Sequence, residues 1–266
     1  LKLEKPMSKL IFIASFAYLL STALLFARMK GYQLPWARNI SLGLVILASI
    51  IHGFLLWGTL LDGSSIQMGL GVSLSLAGWL STLLVIISSI KKPMESLGII
   101  VFPLSLLSLW LTPLLPPPHL LAMGIGIHAL ASLIAYTLLG LAAAQAALII
   151  FQEKRLRERK WQGLLGALPP LALMEQTLLE WLIASFITLS FALLSGAIFV
   201  DNMMAQHVAH KTFFSLISWL LLATLIWGHI KYGWRGQRAA RLVLWGYAMI
   251  VLGYAGSQFV IEVVLA

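Results

Sequence analysis

Apolar residues crowd into eight runs along the chain, at 10–27, 40–61, 72–90, 97–115, 121–151, 182–200, 212–232 and 242–260. A helix that crosses about 30 Å of hydrocarbon needs about 20 predominantly apolar residues, and these runs meet or approach that length. None alternates apolar and polar positions with a period of two, which disfavours a transmembrane β-barrel. The pattern predicts an all-α, polytopic membrane helix bundle of about eight transmembrane helices, as one integral membrane domain over residues 1–266. The fifth run is too long for a perpendicular crossing, because at about 1.5 Å per residue it makes about 46 Å of helix. It must tilt or project. Between the fifth and sixth runs, the cluster EKRLRERK leads into LLGALPPLALMEQTLLEW. There Pro169 and Pro170 suit a helix start, and the stretch to Glu180 reads as an interfacial segment feeding run six. LLPPPH at 114–119 reads as a stiff corner. No repeat of 20–50 residues is evident.

Composition agrees with the pattern and narrows it. The chain is 60% hydrophobic and only 10% charged, with a mean hydropathy of +0.95, so too little charge is available to coat a water-soluble body. A soluble enzyme, a disulfide-built secreted domain and a disordered chain are excluded. Cysteine is absent, which removes thiolate metal sites and covalent haem attachment through this chain. Eighteen Lys and Arg face nine acids, and the basic residues are unevenly placed. Arg28, Lys30 and Arg38 follow run one, Lys91 and Lys92 run three, Lys154 to Lys160 run five, and Lys231, Arg235, Arg238 and Arg241 run seven. The positive-inside rule puts those connections in the cytoplasm and both termini outside the cytoplasm. Lys2, Lys5, Lys9 and Lys211 fall on the other side. The basic balance is thus read as orientation and contact with membrane lipids. Nothing pairs it with stacking aromatics, so nucleic acid is not an expected partner. The start of the chain lacks a small-residue cleavage site after run one, and Met7 offers an alternative start.

Few ionisable residues fall inside the runs: His52, His128 and His229, with Glu262 near an end. Such a group is costly at membrane depth and by default marks function, although an interhelical hydrogen bond is the simpler reading of any one histidine. Three histidines without an intramembrane carboxylate suit metal or haem ligation better than a proton relay. A second group, His119, His128, His207 and His210, gathers toward the outer side, with Asp62 and Asp201 on the same side. His207 and His210 share a face if their segment is helical. Trp36, Trp110, Trp161, Trp181, Trp234 and Trp245 fall near run ends, as an interfacial aromatic belt would. LDGSSIQMGLG lacks a phosphate-loop pattern, and no nucleophile–base–acid set is present. No catalytic residue is expected.

Three longer motifs carry a family resemblance. GIHALASLIAYTLLGLAAAQAALIIFQEKRLR, LPPLALMEQTLLEWLIASFITLSFALLSGAIF and KTFFSLISWLLLATLIWGHIKYGWRGQRA followed by LGYAGSQFV occur in that order. Together they resemble the cytochrome c assembly membrane proteins, the CcsA/CcmC/CcmF superfamily, and in size and layout its small HemX/YpjD branch. The resemblance implies a bacterial inner-membrane protein that binds haem b and works with other membrane or cytochrome-maturation proteins. It implies His52 and His229 as the membrane pair of haem-iron ligands, and His128 as an outer haem histidine. Arg235 and Arg238 would neutralise haem propionates, and His207 and His210 would line a residual outer pocket with His128. The chain departs from the pattern in two places. NMMAQHVAHKT stands where the tryptophan-rich WWD delivery segment would end, and no histidine follows the last run. Haem binding is therefore implied, whereas haem delivery and cytochrome ligation are not.

The expected pair carries a mismatch of depth. His52 lies about 15 Å below Asp62 and His229 about 27 Å below Lys211, counting about 1.5 Å per residue. Gly53 and Gly228, beside the two histidines, leave room for a planar ligand or for close helix packing. The leading expectation is a haem-binding accessory factor rather than an enzyme. A haem-free scaffold or regulatory subunit is the alternative, and a small-solute transporter a weaker one.

Overall fold

The computed structural model of the chain describes residues 5–32, 34–62, 65–158, 168–199 and 209–256. Eight α-helices follow in order: α1 Lys5–Met29, α2 Ala37–Leu60, α3 Leu70–Lys91, α4 Gly98–Leu111, α5 Met123–Arg157, α6 Leu171–Phe199, α7 Ala209–Tyr232 and α8 Gly236–Val251. Among the described residues seven helical segments are long and apolar enough to cross a membrane, the fourth being α4 together with the 3₁₀ turns on either side of it, Glu95–Leu114. The eighth, α8, has 16 α-helical residues and passes into a π turn at Leu252–Gly256. The remainder of the predicted eighth run lies outside the described residues. The all-α, multi-pass expectation holds.

Two boundaries differ from the reading of hydropathy. Helix α5 is 35 residues, longer than the apolar run, because the amphiphilic QEKRLR continues it past the apolar stretch. Helix α6 starts at Leu171, well before the predicted 182. Leu, Met, Glu and Gln are good helix formers, so Glu175 and Glu180 belong to the first turns of the span itself. Pro169 and Pro170 stand immediately before that start, as expected. Between α2 and α3 the chain forms a short hairpin, β1 Leu61–Asp62 and β2 Ser65–Met68, which hydropathy did not predict.

The chain divides into two compact units, 1–118 with 153–171 and 119–152 with 172–266, a division that hydropathy does not mark. In the first unit α1 packs on α2 and α4, and α3 on α2 and α4. Lipid is as apolar as leucine, so helices in a membrane associate through close packing and interhelical hydrogen bonds. The first unit uses both. The hydroxyls of Ser21 and Ser41 bond at 2.7 Å, and those of Thr82 and Ser105 at 2.9 Å. Gly78 lets α3 and α4 touch: a Cβ there would lie 3.0 Å from the Ser105 Cα. The second unit is tied in the same way. Ser185 donates to the Ala135 carbonyl at 3.0 Å, Gln145 to the Met174 carbonyl at 3.1 Å, and the Trp219 indole to Ser190 at 2.7 Å.

Candidate functional site

Each predicted histidine has a distinct environment. His52 lies in the middle of α2 with 0% of its surface exposed. Its Nδ1 pairs with the Tyr18 hydroxyl of α1 at 3.2 Å, and its Nε2 with the Ser75 hydroxyl of α3 at 2.8 Å. Both hydroxyls can donate or accept, so either neutral tautomer satisfies both nitrogens. Neither nitrogen is left for a metal in this arrangement. His52 is a clasp joining three helices.

His229 is the opposite case. It lies three residues before the end of α7, where the chain turns back through Gly233 and Gly236, both at positive φ (66° and 58°). That turn brings the Trp234 carbonyl to 3.0 Å from Nδ1. A carbonyl only accepts, so Nδ1 carries a proton, and in the neutral ring Nε2 keeps its lone pair. Nε2 has no partner among the described residues. The imidazole lines a cavity of about 360 Å³, within the usual size range of ligand pockets, whose floor includes Leu178, Leu179, Leu182 and Leu225. Glu175, Gln176 and Arg235 supply its polar part. Ala172 and Gly236, in the first turns of α6 and α8, form part of the wall, and helix N-termini carry partial positive charge. Arg235 has no acidic partner among the described residues. Arg238, the other arginine expected to serve propionates, lies over the Trp234 ring at 5.4 Å. It braces the turn.

The glycines beside these histidines are occupied by the chain itself. A Cβ on Gly53 would lie 2.9 Å from the Trp79 indole, which donates to the Ser49 carbonyl at 2.8 Å. A Cβ on Gly228 would overlap the Trp234 indole. The planar group against each glycine is therefore a tryptophan, which corrects the idea of space left for a planar ligand. Trp181 needs correction too. It is only 8% exposed within α6, because α6 begins earlier than predicted and carries it away from the helix end.

On α5, the Nδ1 of half-buried His128 lies 3.0 Å from the Ser195 hydroxyl, which itself donates to the Ala192 carbonyl at 2.9 Å. That leaves the serine oxygen as acceptor, and the Ala192 backbone also hydrogen-bonds the ring. Gly196 is the seat of the ring, since a Cβ there would lie 2.9 Å from its Cε1. His119 is exposed in the short strand β3 His119–Leu121. His210 lies in the first turn of α7 by its backbone. Its side chain, together with His207, Asp201 and Trp161, lies outside the described residues, as does the expected outer pocket. The two histidines of the expected membrane pair belong to different units, His52 to the first and His229 to the second.

Sequence reasoning missed one group. Glu95, in a 3₁₀ turn at Glu95–Leu97 just before α4, is 3% exposed and accepts from both Arg28 and Arg38. The available signal was a lone acid among the basic residues after runs one and three. Among the described residues no cluster of three or more His, Asp or Glu could hold a metal ion.

Comparison with known proteins gives a consistent result. Residues 5–265 match the cytochrome C assembly protein family. The inner membrane protein YpjD of Escherichia coli (strain K12) is 26% identical over 261 residues, which is 95% of this chain and 97% of that protein. An uncharacterized 28.8 kDa protein of Azospirillum brasilense is 34% identical over 143 residues, 53% of each chain. The cytochrome c biogenesis protein CcsA of Prochlorococcus marinus is 30% identical over 76 residues, 28% of this chain and 24% of that one. No solved structure matches the chain.

Proposed function

The chain belongs to the cytochrome c assembly protein family, and from that premise we propose that it binds haem b through His229 and acts as an accessory haem-handling factor, not an enzyme. It is a multi-pass protein of the bacterial inner membrane. The observation that carries the reading is His229, which among the described residues is bonded through Nδ1 alone, in the wall of a largely apolar cavity that Arg235 also lines. A neutral imidazole with its other nitrogen bonded to a carbonyl is the usual form of a metal-ligating histidine. The leucine floor suits a porphyrin face, and Arg235 suits a propionate carboxylate. Bound haem would supply a redox-active iron. The chain supplies the imidazole, the tautomer that keeps its lone pair available, and an apolar wall that limits water.

His52 completes the proposed pair only if it surrenders one of its two hydrogen bonds, and Ser75 or Tyr18 must then find another partner. The test is the absorption spectrum of detergent-purified protein, as isolated and after adding haem. A reducible b-type spectrum that His229→Ala removes supports the proposal. If His52→Ala also removes it from a protein that still folds, the pair is correct. If only His229→Ala does so, the anchor is His229 alone. Protein that stays colourless with added haem overturns the reading. The fully bonded ring of His52 and the indoles filling the space beside Gly53 and Gly228 favour one alternative, a haem-free scaffold that kept the fold. In that case alanine at both histidines leaves spectrum and cellular activity alike.

A further inference from the structure

One charged cluster lies outside the haem reading. It sits at the end of the first unit where α1 finishes, α2 begins and α3 turns into α4. Arg28 Nη1 donates to Glu95 Oε1 at 3.3 Å, and Arg38 Nε donates to the same oxygen at 3.1 Å. Arg38 Nη2 also donates to the Ser89 carbonyl at 2.9 Å. These contacts hold both guanidiniums in place around one buried carboxylate.

Donor accounting shows what is left over. A guanidinium has five N–H groups, and it cannot be neutralised by losing a proton. Arg28 commits one to the protein and Arg38 two, so most of their donors have no protein acceptor among the described residues. Their side chains are 22% and 38% exposed, so the free N–H groups have an outward path. Two arginines against one carboxylate leave a single positive charge. Exposed Lys30 and Lys91 follow Arg28 and end α3, and add to it.

The surroundings indicate the source of the missing acceptor. Exposed Tyr32 and Trp36 lie in the connection between Arg28 and Arg38, the residue types that settle at headgroup depth. Lys30 lies over the Phe26 ring at 4.9 Å. Phe26, Ile40, Ile87 and Ile90, on the same ends of α1, α2 and α3, expose apolar surface. A ligand here meets fixed cationic donors at its head and apolar helix flanks along its body. A phosphodiester that carries acyl chains offers an anion to the donors and an apolar body to these flanks.

We propose that Arg28 and Arg38, oriented by Glu95, bind the phosphodiester headgroup of an anionic phospholipid. Glu95 organises the site by keeping two like charges converged without filling their outward donors. A free phosphate offers the same oxygens but no acyl chain for the apolar flanks.

The experiment is native mass spectrometry of the full chain in detergent, titrated with phosphatidylglycerol, phosphatidylethanolamine or inorganic phosphate. A cation near the headgroup contributes about a fivefold preference for anionic lipid, so phosphatidylglycerol should be retained at least about fivefold over phosphatidylethanolamine. Millimolar inorganic phosphate should not displace it. The triple substitution Arg28→Gln, Arg38→Gln, Glu95→Gln strands no charge and should abolish the preference. Equal retention of the two lipids by the natural protein overturns the proposal, as does an undiminished preference in the folded triple variant. Displacement of the lipid by phosphate alone also overturns it, by making the site one for the free ion. If the triple variant does not purify as monodisperse protein, Arg28→Gln carries the test, because Glu95 keeps its bond to Arg38. It should lose much of the preference, and an unchanged preference overturns the proposal.

Discussion

Alanine at Gly228 tests the reading of the α7 turn most directly. The new methyl would overlap the Trp234 indole. Trp234 has little freedom to retreat: its backbone N–H donates to the Gly228 carbonyl at 3.2 Å, its carbonyl accepts from His229 Nδ1, Tyr232 stacks on the indole at 6.2 Å and Arg238 covers it. Overpacking of this kind costs about 1–3 kcal/mol. Losing the His229 bond adds about 1 kcal/mol. Alanine in place of glycine within a helix returns about 1 kcal/mol, so the net loss is about 1–3 kcal/mol. Thermal unfolding followed by circular dichroism in detergent measures it. A second readout is the ¹⁵N spectrum of histidine-labelled protein, with the His229 signals identified by their loss in His229→Asn. In the natural chain the proton sits on Nδ1; in Gly228→Ala the two tautomers should mix. Adding Trp234→Ala removes the clash, so the double variant should cost less than the sum of the singles. A Gly228→Ala protein within about 0.5 kcal/mol of the natural one, with the tautomer unchanged, would refute the argument.

Four further outcomes are expected. His52→Ala strands the buried Tyr18 and Ser75 hydroxyls and opens a void, and should cost about 3–5 kcal/mol in the same unfolding assay; Ser75→Ala, which strands one nitrogen, should cost about 1–3 kcal/mol. Gly78→Val drives a side chain into the Ser105 backbone and the Ser108 hydroxyl of α4 and should destabilise by about 2 kcal/mol or more, read by the same transition. His128→Ala should release loosely bound haem while leaving the His229 spectrum intact, and Gly196→Val should mimic it by pushing the ring from its seat; loss of all haem in either would make His128 a primary ligand. Reporter fusions at Arg157 and Arg238 should read cytoplasmic, and fusions at Pro117, Asp201 and the C-terminus extracytoplasmic; inversion at two of them would overturn the charge rule as applied here.

The spans, the membrane class and the family were legible in the chain because each depends on local quantities: run length, hydropathy and the order of motifs. The start of α6 was misplaced because hydropathy discounts Glu175 and Glu180, whereas the helix counts only their backbone preference and their place after Pro169 and Pro170. The three membrane histidines were found by residue type, but type says nothing about where the two ring nitrogens point. Tertiary structure decided that. Tyr18 and Ser75 come from the two helices flanking α2 and close both sides of the His52 ring, whereas the Gly233–Gly236 turn engages only Nδ1 of His229, whose ring lines a cavity. The glycines illustrate the same limit, since a missing Cβ marks a close approach without naming the group that approaches. Glu95 was invisible for a related reason: its meaning lies in Arg28 and Arg38, which reach it only when two connections are brought to one end of a bundle. Hydropathy is a sum along the chain, and the chemistry of a site is set by neighbours across it.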